Sequence, residues 1–301
     1  MANNPLAEVF GFPTDNMSDL ATRHRNGRLC PFHNSSGMNC TKSSATDPIG
    51  VCTIFDGKKV VATCPVRFRE DYKLVSDAAD FFFPGKQFIA LTEARLKDKN
   101  GKAAGNIDVV LAAVDDRGRI IDFGAVEVQA VYITGNVKNV FKKYMEDPSS
   151  NSAMDWPKQN YPKPDYLSSS RKRLAPQLLY KGSILHSWKK RMAVAVDENF
   201  FAELPDLPVT DKASADIAWF VYSFTKSEED SRYVLNLKEV KFTKFKETLS
   251  KITMPEIGEV DDFIAYLADR IKKDKTMGIP ASSLEEPEVE PLPSQVENNE
   301  D

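Results

Sequence analysis

"NIDVVLAAVDDRGRIIDFGAVEVQA", residues 106–130, decides the fold. Two apolar runs flank "DDRGR", a turn signal, so the stretch predicts an antiparallel hairpin with strands over 106–114 and 120–133. The second strand is nearly continuous apolar sequence, yet it carries Glu127 and Gln129 towards its end. Side chains two apart on a strand share a face, so these two point the same way. A buried, unpaired carboxylate is costly, and a partner side chain, bulk water or a metal ion must compensate for it. Pairing about the centre of the 115–119 turn sets Asp108 near residue 126, beside Glu127. Adjacent carboxylates repel, and a divalent cation such as Mg²⁺ between them removes the penalty.

Outward from the hairpin, residues 76–97 read as partly helical, broken near Pro84-Gly85, with Glu93 on the helix that follows. Val137, Val140, Phe141 and Tyr144 are spaced for one face of a helix over 134–147. The Pro-rich stretch 148–166 has no periodicity, and loops of this length inside a domain are often functional. A basic helix is expected at 170–188, strands at 192–196, 216–224 and 233–242, and a terminal helix at 258–274. The fold class is therefore α/β, a mixed α+β sheet flanked by helices. The chain divides into an N-terminal region (1–75), a core (76–277) and an acidic tail (278–301).

The chain has 301 residues, 42% of them hydrophobic, and no apolar run approaches the roughly 18–20 residues that span a bilayer. Its first residues lack a basic segment followed by an apolar one, so no secretion signal is read and the cytoplasm is the default. The formal net charge of −4 conceals an asymmetry. Residues 281–301 hold six Glu, one Asp and no Lys or Arg, leaving +3 for residues 1–280. Such a tail is expected to be disordered. The mildly basic remainder permits a polyanionic partner.

Cys30, Cys40, Cys52 and Cys64 are the only cysteines, all within 35 residues. In a cytosolic chain that clustering favours metal binding over disulfides. Residues 23–70 are poor in large apolar side chains, and four thiolates around one metal would staple them. A hairpin is expected at "CTIFDGKKVVATC" (52–64), turning at Asp56-Gly57. Four thiolates suit zinc or iron equally, and an iron–sulfur cluster is a further reading. His33, three residues after Cys30, is an alternative ligand, although a solvated loop histidine is the commoner case.

An Asp followed 19 residues later by E-V-Q resembles the PD-(D/E)xK nuclease motif, with Gln129 in place of Lys and no Pro before Asp108. On spacing alone a surface hairpin with solvated polar ends explains it as well. The wider pattern carries more. "CPF", "DPIGVC" and "CPVRFRE", then "NIDVVLA" and "DFGAVEVQAVYITGNV", resemble the NotI-type restriction endonucleases over most of residues 20–200. The resemblance implies a PD-(D/E)xK core behind a four-cysteine module. It implies a type II homodimer that cuts double-stranded DNA at a GC-rich palindrome containing CGGCCG. It further implies Asp108 and Glu127 as Mg²⁺ ligands, Gln129 as the Lys replacement, Glu93 as a further acidic position, and a structural iron on Cys30, Cys40, Cys52 and Cys64. The expected chemistry is in-line attack of water on a phosphodiester, with Mg²⁺ stabilising charge on the attacking and leaving oxygens. No membrane partner and no organic cofactor are expected, and H-E-x-x-H, G-x-x-x-x-G-K-[ST] and G-x-S-x-G are absent.

GC recognition needs Arg or Lys at guanine edges in the major groove. Arg171, Lys172 and Arg173, following the long loop, are the first candidates, and Arg67 and Arg69 the next. Two alternatives stay open: a DNA-binding regulator without catalysis, and an iron–sulfur repair or recombination nuclease.

Overall fold

The hairpin forms as expected. The structure is a computed structural model, and it describes residues 3–273 apart from 36, 228, 230 and 256. The acidic tail lies outside the described residues. Residues 1–254 make one compact unit, and a second begins at Pro255 with its own helix, Val260–Lys272. No helix among the described residues is long and apolar enough to cross a membrane.

Six strands form the central sheet: β5 (Phe88–Lys97), β6 (Ala103–Val114), β7 (Ile120–Gln129), β10 (Met192–Asp197), β11 (Ile217–Lys226) and β12 (Tyr233–Thr243), in the order β12-β11-β10-β7-β6-β5. β10 runs parallel to both neighbours and the other pairs are antiparallel. A parallel pair needs a long crossover, and residues 130–191 supply one between β7 and β10. "MAVAVD" in β10 is buried throughout because both faces of the sheet are covered. On one face Val126, Val128, Ala193 and Phe220 pack against Leu74, Phe81 and Phe82 of α2 (Lys73–Phe82). On the other, Ala125, Val194, Val196 and Trp219 pack against Leu174, Leu178 and Leu185, with Phe245.

The last three leucines lie on one helix, residues 166–187. Its segments Ser170–Leu174 and Leu178–Gly182 are wound as wider π turns on either side of Pro176. Proline has no N–H and crowds the carbonyl four residues back, and widening the helix relieves both defects.

Two expectations change. After the break at Pro84-Gly85 the chain forms the edge strand β5, so Glu93 sits on a strand rather than a helix. The N-terminal region is also less dependent on a metal staple than its composition suggests. β1 (Leu6–Val9), β2 (Phe12–Pro13), β3 (Val51–Asp56) and β4 (Lys59–Ala62) form a four-stranded sheet in the order β2-β1-β3-β4. β3 and β4 are the expected hairpin, turning at Gly57 with φ +61°, a left-handed conformation that glycine adopts without strain. Leu6, Val9, Phe10, Val51 and Ile54 pack with Val140, Phe141 and Tyr144 of α3 (Val137–Glu146), giving this region an apolar core in which Cys30, Cys40 and Cys52 take part.

Candidate active site

β6 and β7 bring the two central carboxylates together. The ladder pairs Val114 with Ile120 but Ala113 with Asp122, so a one-residue bulge lies between. Beyond it the pairs run to Val109 and Val126, and Asp108 and Glu127 come next. The bulge thus moves Asp108 from the expected partner, residue 126, to Glu127 itself. Asp108 Oδ2 accepts from the Val128 N–H at 2.7 Å, which fixes its carboxylate in the middle of β6 against the last residues of β7.

Glu127 and Gln129 share the sheet face covered by the 166–187 helix, with 0% and 4% exposure. Gln129 Nε2 donates to the Ala130 carbonyl at 2.7 Å. Glu127 Oε2 accepts from Lys181 Nζ at 2.5 Å, while Glu127 Oε1 is buried with no partner among the described residues. Burial, and after it the charge of Asp108, pushes Glu127 up to about 8 against the pull of Lys181. A buried carboxyl group raised in this way, with one oxygen unpartnered and a second carboxylate facing it, is a centre that takes up positive charge, as a proton or as a cation.

Lys181 is the residue that sequence spacing missed. It interrupts the stripe Leu174, Leu178, Leu185 that packs on the sheet. A lysine in a buried stripe was a signal available in the sequence. Its stem runs along Gly105 (φ +114°), where an added Cβ would lie 3.4 Å from Lys181 Cδ. The next residue, Gly182, packs so closely on Phe245 that a Cβ would meet the ring at 2.6 Å. With its stem so placed, Lys181 Nζ donates to the Asn106 carbonyl at 2.8 Å as well as to Glu127.

A cleft of about 560 Å³ opens beside this centre, lined by Asp108, Gln129, Glu93, Arg69, Arg173 and Gln177 on one side and by Cys30, Cys40 and Cys64 on another. Gln177 Oε1 is a second buried acceptor without a partner among the described residues. Glu93 has φ +55°, a strained conformation of the kind that gathers at functional sites. Its side chain is 61% exposed, 3.9 Å from Arg69, and does not join the two inner carboxylates. Arg173 donates to the Tyr132 hydroxyl and lies over its ring, which holds the guanidinium at the cleft. Arg171 and Lys172 are exposed on the same helix.

Arg67 does not face DNA. It is fully buried, pairs with Glu8 at 2.9 Å and Glu70 at 2.6 Å, and lies between the rings of Phe32 and Phe224. A guanidinium with no exposed surface has no access to a base edge, so this expectation is withdrawn.

The cysteines are free and buried. Burial, with Cys64 and Cys40 nearby, pushes Cys30 up to about 12, and burial with Cys64 also raises Cys52. The four are neighbours, yet among the described residues no three Cys, His, Asp or Glu side chains are arranged to hold a metal ion. The expected four-cysteine metal module is accordingly not shown by this arrangement of side chains.

The family model for restriction endonuclease NotI matches residues 14–235, a span that runs from before β3 into the start of β12 and holds every residue of the centre just described. The chain belongs to the NotI restriction endonuclease family. Membership makes it a type II restriction endonuclease, a site-specific deoxyribonuclease that hydrolyses double-stranded DNA. No curated protein matches the chain.

Proposed function

We propose that this family member acts as a homodimer, with Mg²⁺ held between Asp108 and Glu127, and cuts both strands of a GC-rich palindrome containing CGGCCG. The observation that carries the reading is the unpartnered Oε1 of buried Glu127 beside Asp108. Mg²⁺ sites in phosphoryl-transfer enzymes commonly use one or two carboxylates plus substrate phosphate, so this donor set fits the ion. When bound, the ion supplies Lewis-acid stabilisation of charge at the reacting phosphate. Asp108, held by the Val128 N–H, and Glu127, held by Lys181, are the two oriented ligands of the proposal. Gln129 has no charge and no useful basicity, so its part is to orient rather than to take a proton. Glu93 stays at the cleft as an outer acidic group.

Phosphate and base contacts are assigned to Arg69 and Arg173, which line the cleft, and to Arg171 and Lys172 beside it. A palindrome calls for a second copy of the same reader, hence the homodimer. The test is to incubate pure protein with plasmid and Mg²⁺ and to map the ends. Discrete fragments with ends in a GC-rich palindrome are expected, and a plasmid retarded but left intact would overturn catalysis in favour of binding alone.

The cysteines enter the same proposal as a structural iron site, supported by four buried thiols that lie near one another and by the donor chemistry, which suits zinc as well. The arrangement seen is not closed around an ion, so no catalytic step is assigned to it. Cys40→Ala is expected to lower metal content and melting temperature together, because binding energy at such a site is folding energy. Full metal content in a variant with all four cysteines changed to alanine would refute the site.

A further inference from the structure

We propose that Lys181 is a positioning residue of this centre: it pins Glu127 through Oε2 and so reserves Oε1 for the divalent cation. The proposal rests on the reading of Asp108 and Glu127 as cation ligands.

Three observations carry it. Lys181 Nζ has two partners, Glu127 Oε2 at 2.5 Å and the Asn106 carbonyl at 2.8 Å, so the ammonium is itself anchored and its side chain is 7% exposed. The stem lies in van der Waals range of Gly105, whose φ of +114° calls for glycine, and glycine at 182 lets the helix close on Phe245. The partition of the carboxylate is also complete: one oxygen is taken by the lysine and the other left without a partner among the described residues. A lysine kept only to neutralise a buried carboxylate needs no such division between the two oxygens.

Where the E-x-K strand of the nuclease motif carries lysine, this strand carries Gln129. The cation beside the catalytic carboxylate arrives instead from the helix across the sheet, 54 residues away in sequence. Lysine has three N–H donors, and two are accounted for here. Neither Lys181 nor Glu127 lines the cleft, so Lys181 acts by bonding the Glu127 carboxylate behind Asp108 and not by touching substrate.

The test uses the full chain with Lys181→Met, Glu127→Gln and the double variant. Readouts are single-turnover cleavage with Mg²⁺, duplex affinity in chelator, melting temperature in chelator, and Mn²⁺ affinity by calorimetry. Lys181→Met is expected to slow cleavage by about a hundredfold, as misplacing a ligand does, with duplex affinity unchanged. It is also expected to lower the melting temperature by stranding the Glu127 carboxylate, and Glu127→Gln in the double variant should restore that loss. Should Lys181→Met alone fail to fold, the neutral double variant still reports the coupling. A melting loss that Glu127→Gln does not repair, or cleavage by Lys181→Met at the wild-type rate, overturns the proposal. Wild-type Mn²⁺ affinity and cleavage in Glu127→Gln would instead overturn the assignment of the carboxylates on which it rests.

Discussion

Asp108→Ala and Glu127→Ala are each expected to lose cleavage by at least about a thousandfold, equivalent to about 4 kcal/mol in the barrier. The two carboxylates face each other across the β6–β7 ladder, and neither has a neighbouring acid able to replace it, since Glu93 turns outward to Arg69. Either substitution removes one of the two oriented ligands, so the cation is held more weakly and out of position at the reacting phosphate. Binding of duplex DNA in chelator should persist or tighten, because a removed carboxylate no longer repels the phosphate backbone. Glu127→Ala also strands the Lys181 ammonium under the helix, so its melting temperature should fall while that of Asp108→Ala, whose side chain is half-buried and has no cation partner to strand, changes little. Single-turnover kinetics and gel retardation read the two effects separately. Near-wild-type turnover in either variant removes that residue from the site.

The hairpin was legible because apolar runs, turn residues and strand length all agree within 25 residues of sequence. The pairing of Asp108 with Glu127 was legible only to within one residue. Its final step depends on the bulge between Ala113 and Val114, which no local composition announces. Glu93 was misplaced for a different reason. "ALTEARLK" is good helix sequence, but strand pairing with β6 outweighs intrinsic preference, and the segment becomes a sheet edge. Lys181 lies beyond spacing arguments altogether, because its partner is 54 residues away and the two meet only once the crossover helix docks. Its one local trace is its place in a leucine stripe. Arg67 shows the converse. "RFRE" reads as a basic surface cluster, and only tertiary structure separates the buried Arg67 from the partly exposed Arg69.

That separation gives a large effect on stability. Arg67→Ala is expected to destabilise the fold by about 3–5 kcal/mol, the usual cost of removing one partner from a buried ionic group. Its guanidinium bonds both oxygens of Glu8, one of Glu70 and the Tyr233 carbonyl, so it ties the N-terminal sheet to β12 of the central one. Burial alone would lower Arg67, and the charges of Glu8 and Glu70 outweigh it and raise it above the usual arginine value. Glu70 keeps the Leu235 N–H and Lys73 at 3.8 Å, and Glu8 keeps the Thr53 hydroxyl, so neither carboxylate is left bare, but Glu8 remains as buried charge without a cation. Arg67→Ala, Glu8→Gln, Glu70→Gln combined should therefore recover much of the loss, since it removes the charges along with their partner. Arg69→Ala is the control two residues away. It should leave the denaturation midpoint close to wild type and weaken duplex binding with a shallower salt dependence, as loss of a phosphate contact does. Denaturant melts and salt-dependent binding, measured at a temperature where every variant is folded, separate the two arginines. If Arg67→Ala melts like wild type yet loses sequence-specific binding, the buried network is not what holds these sheets and Arg67 returns to the readers of DNA.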